Sequence, residues 1–258
     1  MNSRIVGLKN RLVLLTTLAI GMVGFSEYAA AQADLPGLLS HPSSTSNTVS
    51  VNQLLSSSKS LRSVSRARQL LIDGHLDEAQ REITKALHES PNCALAIDVQ
   101  GVIHYGTGDF DDAAKEFQKT IDLDPTIGQP YVGLGMILIS RDRFKEALVP
   151  LDRARSILPT SWLVYFETAV ADLQLGDNPS ALKQISYAEN LVVPDSEERS
   201  ATAYLHALIS IKLHDYGNAT RYLQDVIKFD PAGFYTKRAQ AKIDQVKPLL
   251  NATVGSQQ

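Results

Sequence analysis

The sequence predicts an all-α fold in which about five helical hairpins repeat in register and one further helix closes the array. Three observations carry this. Pro91, Pro125, Pro159, Pro194 and Pro231 recur at spacings of 34, 34, 35 and 37, and Ala79, Ala113, Ala147, Ala181 and Ala219 recur at 34, 34, 34 and 38. Two independent markers therefore give one period, of the length expected of stacked helical units. Within each period, apolar residues fall three and four apart, which is the signature of an amphipathic helix.

The elements follow in order. Arg4, Lys9 and Arg11 precede an apolar stretch, Leu12 to Phe25, and a small-residue run ends at Ala33. A basic start, an apolar centre and a small-residue exit predict a secretory signal peptide over residues 1–33, cleaved after Ala33. The apolar stretch is shorter than the roughly 20 residues a membrane span needs. The sole cysteine, Cys93, is too distant to be the lipidated residue of a lipoprotein. Residues 34–59 hold eight serines, one acid and one base, a composition that predicts a flexible tether. Its two apolar clusters, Leu35/Leu38/Leu39 and Val49/Val51/Leu54/Leu55, read either as short docking elements or as the first turn of the folded part.

The hairpins span about 60–93, 94–127, 128–161, 162–195 and 196–232. In the second, Ile97, Gly101 and His104 share one face of a first helix, and Gly108-Asp109 break it. Phe110, Ala113, Phe117 and Thr120 then line a second helix that Pro125 closes. Gly101, Gly135, Ala169 and Ala207 on first helices, and the recurring alanines on second helices, are small where the two must approach. Overpacking there costs about 1–3 kcal/mol. Gly74, Gly108 and Gly176 suit the left-handed conformation that ends a helix, and Asn178 reads as an N-cap followed by Pro179. Asp195 and Glu198 form a capping-box pattern that predicts an early start for the fifth hairpin. Over 233–250, Tyr235, Ala239, Ile243 and Val246 form a stripe with Lys237, Arg238, Lys242 and Lys247 outside it. This predicts a helix that caps the stack. Residues 251–258 read as a disordered tail.

At this point the chain resembles the tetratricopeptide repeat (TPR) family. Gly101, Tyr105, Gly108, Phe110, Ala113, Phe117 and Pro125 match the family pattern in one copy. Tyr131, Leu134, Gly135, Phe144, Ala147, Leu151, Ala154 and Pro159 match it in the next. The first copy departs from it, with Ser63 and Arg66 where large apolar residues are preferred, and reads as a degenerate, solvated end cap. The resemblance implies a right-handed superhelical solenoid whose first helices line a concave groove. Its implied lining is Asp98, Val102 and Tyr105; Gln129, Val132, Met136 and Ile139; Phe166, Val170 and Leu173; and Tyr204, Leu208 and Ile211. Some relatives grip a terminal carboxylate with basic groove residues, but here only Arg68 could supply such a charge.

Composition removes other classes of function. With 25 basic and 28 acidic residues the net charge is -3, without the basic surplus of a nucleic-acid binder. One cysteine excludes a disulfide framework and a zinc ribbon. The six histidines contain no pair at i, i+4, and there is no phosphate-binding glycine loop or nucleophile elbow. The sequence therefore predicts no enzyme, no cofactor and no metal. It predicts an exported scaffold, periplasmic or secreted, that binds an apolar peptide or helix of an envelope or secreted partner. It predicts no nucleic-acid partner and no stable membrane anchor after cleavage. The other reading is a self-associating component of an envelope assembly, a homo-oligomer whose groove is filled by a second copy or by the tether.

Overall fold

The computed structural model describes residues 50–193, 197–229, 231 and 234–255. The signal-peptide reading, most of the tether and the Asp195 end of the fifth-hairpin cap lie outside them. Twelve helices and no strands occur among the described residues. They fall into two compact units, Met1–Pro159 and Thr160–Gln258. The first holds α1 (Val51–Leu55), α2 (Ser58–Ile72), α3 (Leu76–Glu89), α4 (Ala94–Thr107), α5 (Phe110–Leu123), α6 (Gln129–Ser140) and α7 (Phe144–Ile157). The second holds α8 (Trp162–Gln174), α9 (Asn178–Leu191), α10 (Glu197–Lys212), α11 (Tyr216–Phe229) and α12 (Thr236–Gly255). No described helix is long and apolar enough to cross a membrane.

The two helices of each hairpin bury different amounts of themselves. Second helices are one-sided. Their buried positions repeat as Ala79/Ile83/Ala86, Ala113/Phe117/Thr120, Ala147/Leu151/Ala154, Ala181/Ile185/Ala188 and Ala219/Leu223/Val226. That stripe at i, i+4, i+7 is the narrow apolar face of a helix whose other side meets water. First helices are sandwiched. α4 packs on α2, α3, α5 and α6, and α10 on α8, α9 and α11. Hydrophobic character all round is what such a position requires.

Phe117 of α5 shows how closely the hairpins fit. A Cβ added to Gly101 of α4 would lie 2.8 Å from its ring, and one added to Gly133 of α6 would lie 2.4 Å from it. The ring is thus wedged between two first helices, each bare of a side chain at the contact. Gly135 makes the equivalent approach to Leu151.

The intra-hairpin turn adopts the left-handed conformation in all five copies, at Gly74 (φ 79°), Gly108 (88°), Asp142 (58°), Gly176 (81°) and His214 (59°). A side chain in this region carries a cost of roughly 1–2 kcal/mol, less for the aspartate and asparagine that tolerate it. Asp142 is exposed, so Asp142→Gly is expected to raise unfolding stability by up to about 1 kcal/mol. Urea denaturation checks this, and a loss of stability would show that the Asp142 side chain holds the turn.

Several sequence expectations are corrected. The first copy is not a loosened cap: α2 and α3 are complete, with Val64, Ala67, Leu71, Ala79, Ile83 and Ala86 buried between them and their neighbours. The polar Ser63 and Arg66 fall on less buried faces of α2. The tether yields to helix at its end, because Ser50 and Ser57 accept backbone hydrogen bonds as N-caps of α1 and α2. Serine in quantity reads as linker, while serine at these two places starts helices. α9 is capped by Asp177, whose carboxylate accepts from Ser180 N at 3.1 Å, and not by Asn178. Pro179, with no N–H, leaves one donor fewer to satisfy in that turn. α10 begins at Glu197. The last helix runs from Thr236 through Gly255, so residues 251–255 are helical, not a tail. Asn251, Ala252, Thr253 and Val254 offer no helix breaker. α12 packs on α11 through buried Ala239 and Val246, with Tyr235 and Ile243 beside them and Lys237 and Lys247 exposed.

Candidate protein-interaction surface

The residues read as groove lining are mostly interior. In the first unit, Asp98, Val102 and Tyr105 of α4 and Gln129, Val132, Met136 and Ile139 of α6 are all buried. In the second, Phe166 and Val170 of α8 and Tyr204 of α10 are buried as well. Leu173, Leu208 and Ile211 alone of the thirteen keep partial exposure. The cause is the sandwiching of first helices: a residue turned from its own hairpin partner meets the next first helix before it meets solvent.

Several of these positions make specific interior contacts. The Tyr105 ring lies 5.3 Å from that of Phe110, Phe166 meets Trp162 edge-on at 5.7 Å, and Tyr204 lies 5.2 Å from Tyr235. Leu208 packs against the cluster of Ala203, Tyr204, Ala207, Leu223, Val226 and Ala239. The apolar side chains still accessible on first helices of the second unit include Leu173, Leu208 and Ile211. Leu175 and Leu213, 38% and 37% exposed, end the same two helices. α8 and α10 are in contact, so these side chains belong to adjacent rods. Leu175 and Leu213 escaped the sequence reading because they stand in the turn, outside the helical stripe that marked the others.

Two buried polar clusters tie hairpins together. Arg68 Nη2 of α2 lies 3.2 Å from Asp98 Oδ2 of α4, both side chains almost wholly buried, and Asp98 Oδ1 has no hydrogen-bond partner. Burial pushes the Asp98 carboxyl up to about 6 against the opposing pull of Arg68, and lowers the Arg68 guanidinium against the pull of Asp98. Desolvation thus outweighs attraction for both partners. Arg68, read from sequence as a groove charge, is instead spent on this internal pair. In the second unit, His206 Nδ1 of α10 lies 3.0 Å from Glu189 Oε1 of α9, and the His206 ring stacks on Tyr222 of α11 at 3.7 Å. Burial, then the Glu189 charge, pushes the Tyr222 hydroxyl above its ordinary value. Sequence spacing does not reveal either cluster, because each joins residues of different helices 16 to 30 positions apart.

Among the described residues no group of three or more His, Cys, Asp or Glu is placed to hold a metal ion. Cys93 is buried and unbridged.

Helical hairpins repeated in a common register make a helical-repeat fold, and comparison with known proteins shows which repeat it resembles. Residues 65–126 and 99–161 match the tetratricopeptide repeat family model. The fold is that of TPR proteins. Similar solved structures include PilW, a widely conserved type IV pilus biogenesis factor, with a TM-score of 0.64 and 16% identity, covering 77% of this chain and 90% of that one. A thermophilic TPR protein of Thermus thermophilus has a TM-score of 0.58 and 15% identity, covering 72% and 98%. MamA of Desulfovibrio magneticus has a TM-score of 0.54 and 17% identity, covering 69% and 98%. At these identities the likeness is one of fold. No curated protein sequence matches the chain.

Proposed function

We propose that this chain is an exported, non-enzymatic scaffold that holds an apolar helix or extended peptide of an envelope or secreted protein. The supporting observation is a group of apolar side chains left partly exposed on α8 and α10, among them Leu173, Leu208 and Ile211, with Leu175 and Leu213 at the helix ends. The basic, apolar and small-residue order of residues 1–33 supports export. A partner helix with leucine-like anchors three and four residues apart matches such a surface, since apolar anchors supply affinity and flanking polar groups set register. The thirteen groove positions keep a role in this reading: those that are buried hold the first helices in place, and the three that are exposed make contact.

The test is Ile211→Asp together with Leu173→Asp, as single substitutions, in photo-crosslinking capture from the producing cell. Each is expected to reduce capture by at least about tenfold, the loss of a moderate hot spot, with helical circular dichroism unchanged. Capture that is unaffected by both would remove this surface from the proposal. Light-scattering mass runs beside it. A mass that doubles with concentration, and reverts to monomer with Ile211→Asp, would replace the partner reading with self-association.

A further inference from the structure

Positive charge gathers on the last two helices of the second unit. α11 and α12 together carry six bases, Arg221, Lys228, Lys237, Arg238, Lys242 and Lys247, and two acids, Asp225 and Asp244, in a chain whose net charge is -3. Among the described residues none of the six bases is ion-paired with a carboxylate. In the first unit, by contrast, exposed bases find carboxylates: Lys59 pairs with Glu89, Lys85 with Glu82, Lys115 with Asp112, Arg141 with Asp111, Arg143 with Glu146 and Arg155 with Asp152. The start of α12 also runs against its own dipole. α3 and α5 open with Asp77 and Glu78, and with Asp111 and Asp112, whereas α12 has no acid in its first turn and opens with Lys237 and Arg238. Cations at a helix N-terminus are disfavoured by the aligned peptide dipoles, and here no described ion pair offsets them.

These bases share one side of α12 with exposed apolar groups. Phe234 stands in the turn before the helix, and Arg238 and Lys242 follow it at spacings of four, with Leu249 two turns further along the same side and Lys237 at its edge. Phe234 and Leu249 are 38% and 45% exposed. The Arg238 guanidinium lies over the Phe234 ring, 3.9 Å from its centroid, and Arg238 Nη1 donates to the Phe234 carbonyl at 3.3 Å. Stacking fixes the guanidinium plane while its outer edge keeps donors suited to a carboxylate. Asp244, the single acid of α12, stands about 200° round the helix from Lys242 and accepts from Gln240 Nε2 at 3.3 Å. The stripe of Tyr235, Ala239, Ile243 and Val246 is occupied in packing on α11. What remains is a strip of cations bracketed by two apolar side chains, without an acid among them.

We propose that this side of α12 is a docking strip for an acidic helix of a partner protein, whose carboxylates one turn apart meet Arg238 and Lys242 and whose apolar residues cover Phe234 and Leu249. Charge complementarity selects the occupant: cations left without carboxylates inside the chain are matched by carboxylates from outside it. Arg238 and Lys242 are separated by one turn, about 6 Å of rise, the spacing at which a partner helix presents carboxylates four residues apart. An anionic bilayer fits less well, because the buried stripe of α12 is committed to α11 and only Phe234 and Leu249 would enter the lipid. The strip is separate from the α8 and α10 surface and does not depend on the function proposed for that surface.

Fluorescence anisotropy with the full chain tests this. The probe is a designed helical peptide of about 18 residues, long enough to lie along the strip, with glutamates at every fourth position beside a leucine stripe. Two further probes are the same peptide with glutamine for glutamate, and vesicles of phosphatidylglycerol and phosphatidylcholine in equal parts. Saturable binding of the acidic peptide is expected, weakened at least about tenfold by Arg238→Gln with Lys242→Gln and several-fold by Phe234→Ala, with helical circular dichroism unchanged. Salt raised from about 50 to 500 mM is expected to weaken it as well. Lys183→Gln, at an exposed base of α9, and Ile211→Asp are expected to leave it unchanged. The absence of saturable binding at millimolar peptide would overturn the strip. So would equal binding of the glutamine peptide, or a loss with Lys183→Gln as large as with the paired substitution. Vesicle binding that is lost with Arg238→Gln and Lys242→Gln, without peptide binding, would replace the acidic helix with an anionic membrane surface.

Discussion

Phe117→Ala is expected to lower the stability of the first unit by about 3–5 kcal/mol, the range for truncating a fully buried phenylalanine. The side chain is 0% exposed and wedged between Gly101 and Gly133, so its removal opens a cavity shared by three helices. Those helices are rods held by several neighbours and collapse poorly onto the gap. Gly133→Ala supplies the matching measurement. In the native background its methyl collides with Phe117, and a cost of about 1–3 kcal/mol is expected. In the Phe117→Ala background the collision is gone, the methyl enters the cavity, and alanine's helix preference of up to about 1 kcal/mol over glycine emerges. A double-mutant cycle by urea denaturation is expected to give a coupling within about 0.5–3 kcal/mol, with the second substitution favourable once the first is made. Strict additivity would show that the ring and the two glycines do not form one packing unit.

Arg68→Met is expected to cost about 3–5 kcal/mol at pH 8, because it leaves the Asp98 carboxylate buried without its cation. The pH dependence distinguishes charge from packing. Asp98 has its folded value raised to about 6 from an ordinary 3.8, so the native state binds a proton before the unfolded chain does. Its contribution to stability is therefore complete below 3.8 and is lost as pH rises through about 6. Without Arg68 the carboxyl rises further. The deficit of Arg68→Met is then expected to shrink as pH falls from 8 towards 5, as both proteins come to hold a neutral Asp98. A deficit that stays constant across this range would assign the loss to packing of the arginine stem. Replacing both residues, Arg68→Met with Asp98→Leu, is expected to recover the native stability or exceed it, since apolar substitutes carry no desolvation cost.

The prominence of both effects follows from what could and could not be read along the chain. The hairpin register was legible because each second helix repeats one alanine-led stripe with a large side chain four residues on, and stripes on a one-sided helix are set by local periodicity. The left-handed turns at Gly74, Gly108 and Gly176 were legible for the same reason: glycine marks the conformation at its own position. Asp142 and His214 occupy the same conformation without glycine, and only their place in the period identifies them. The cap at Asp177 was misplaced by one residue because Asn178-Pro179 carries the stronger local pattern, while the carboxylate reaching Ser180 N decides it.

The candidate surface was the least legible part. Asp98, Val102, Met136 and Phe166 share the first-helix face with Leu173, Leu208 and Ile211, and nothing in their periodicity separates the first group from the second. Burial separates them, and burial depends on which helices of neighbouring repeats press on that face. Gly133 was overlooked for a similar reason, since its partner Phe117 lies in the preceding hairpin.

Repeat length, helix order and the small-residue contacts within a hairpin follow from interactions between residues close in the chain, and they are written in its pattern. The Arg68–Asp98 pair, the Phe117 wedge and the exposure of three groove positions out of thirteen arise between helices from different repeats. Their strength comes from desolvation and close packing, which exist only once those helices are assembled and water has been excluded from between them.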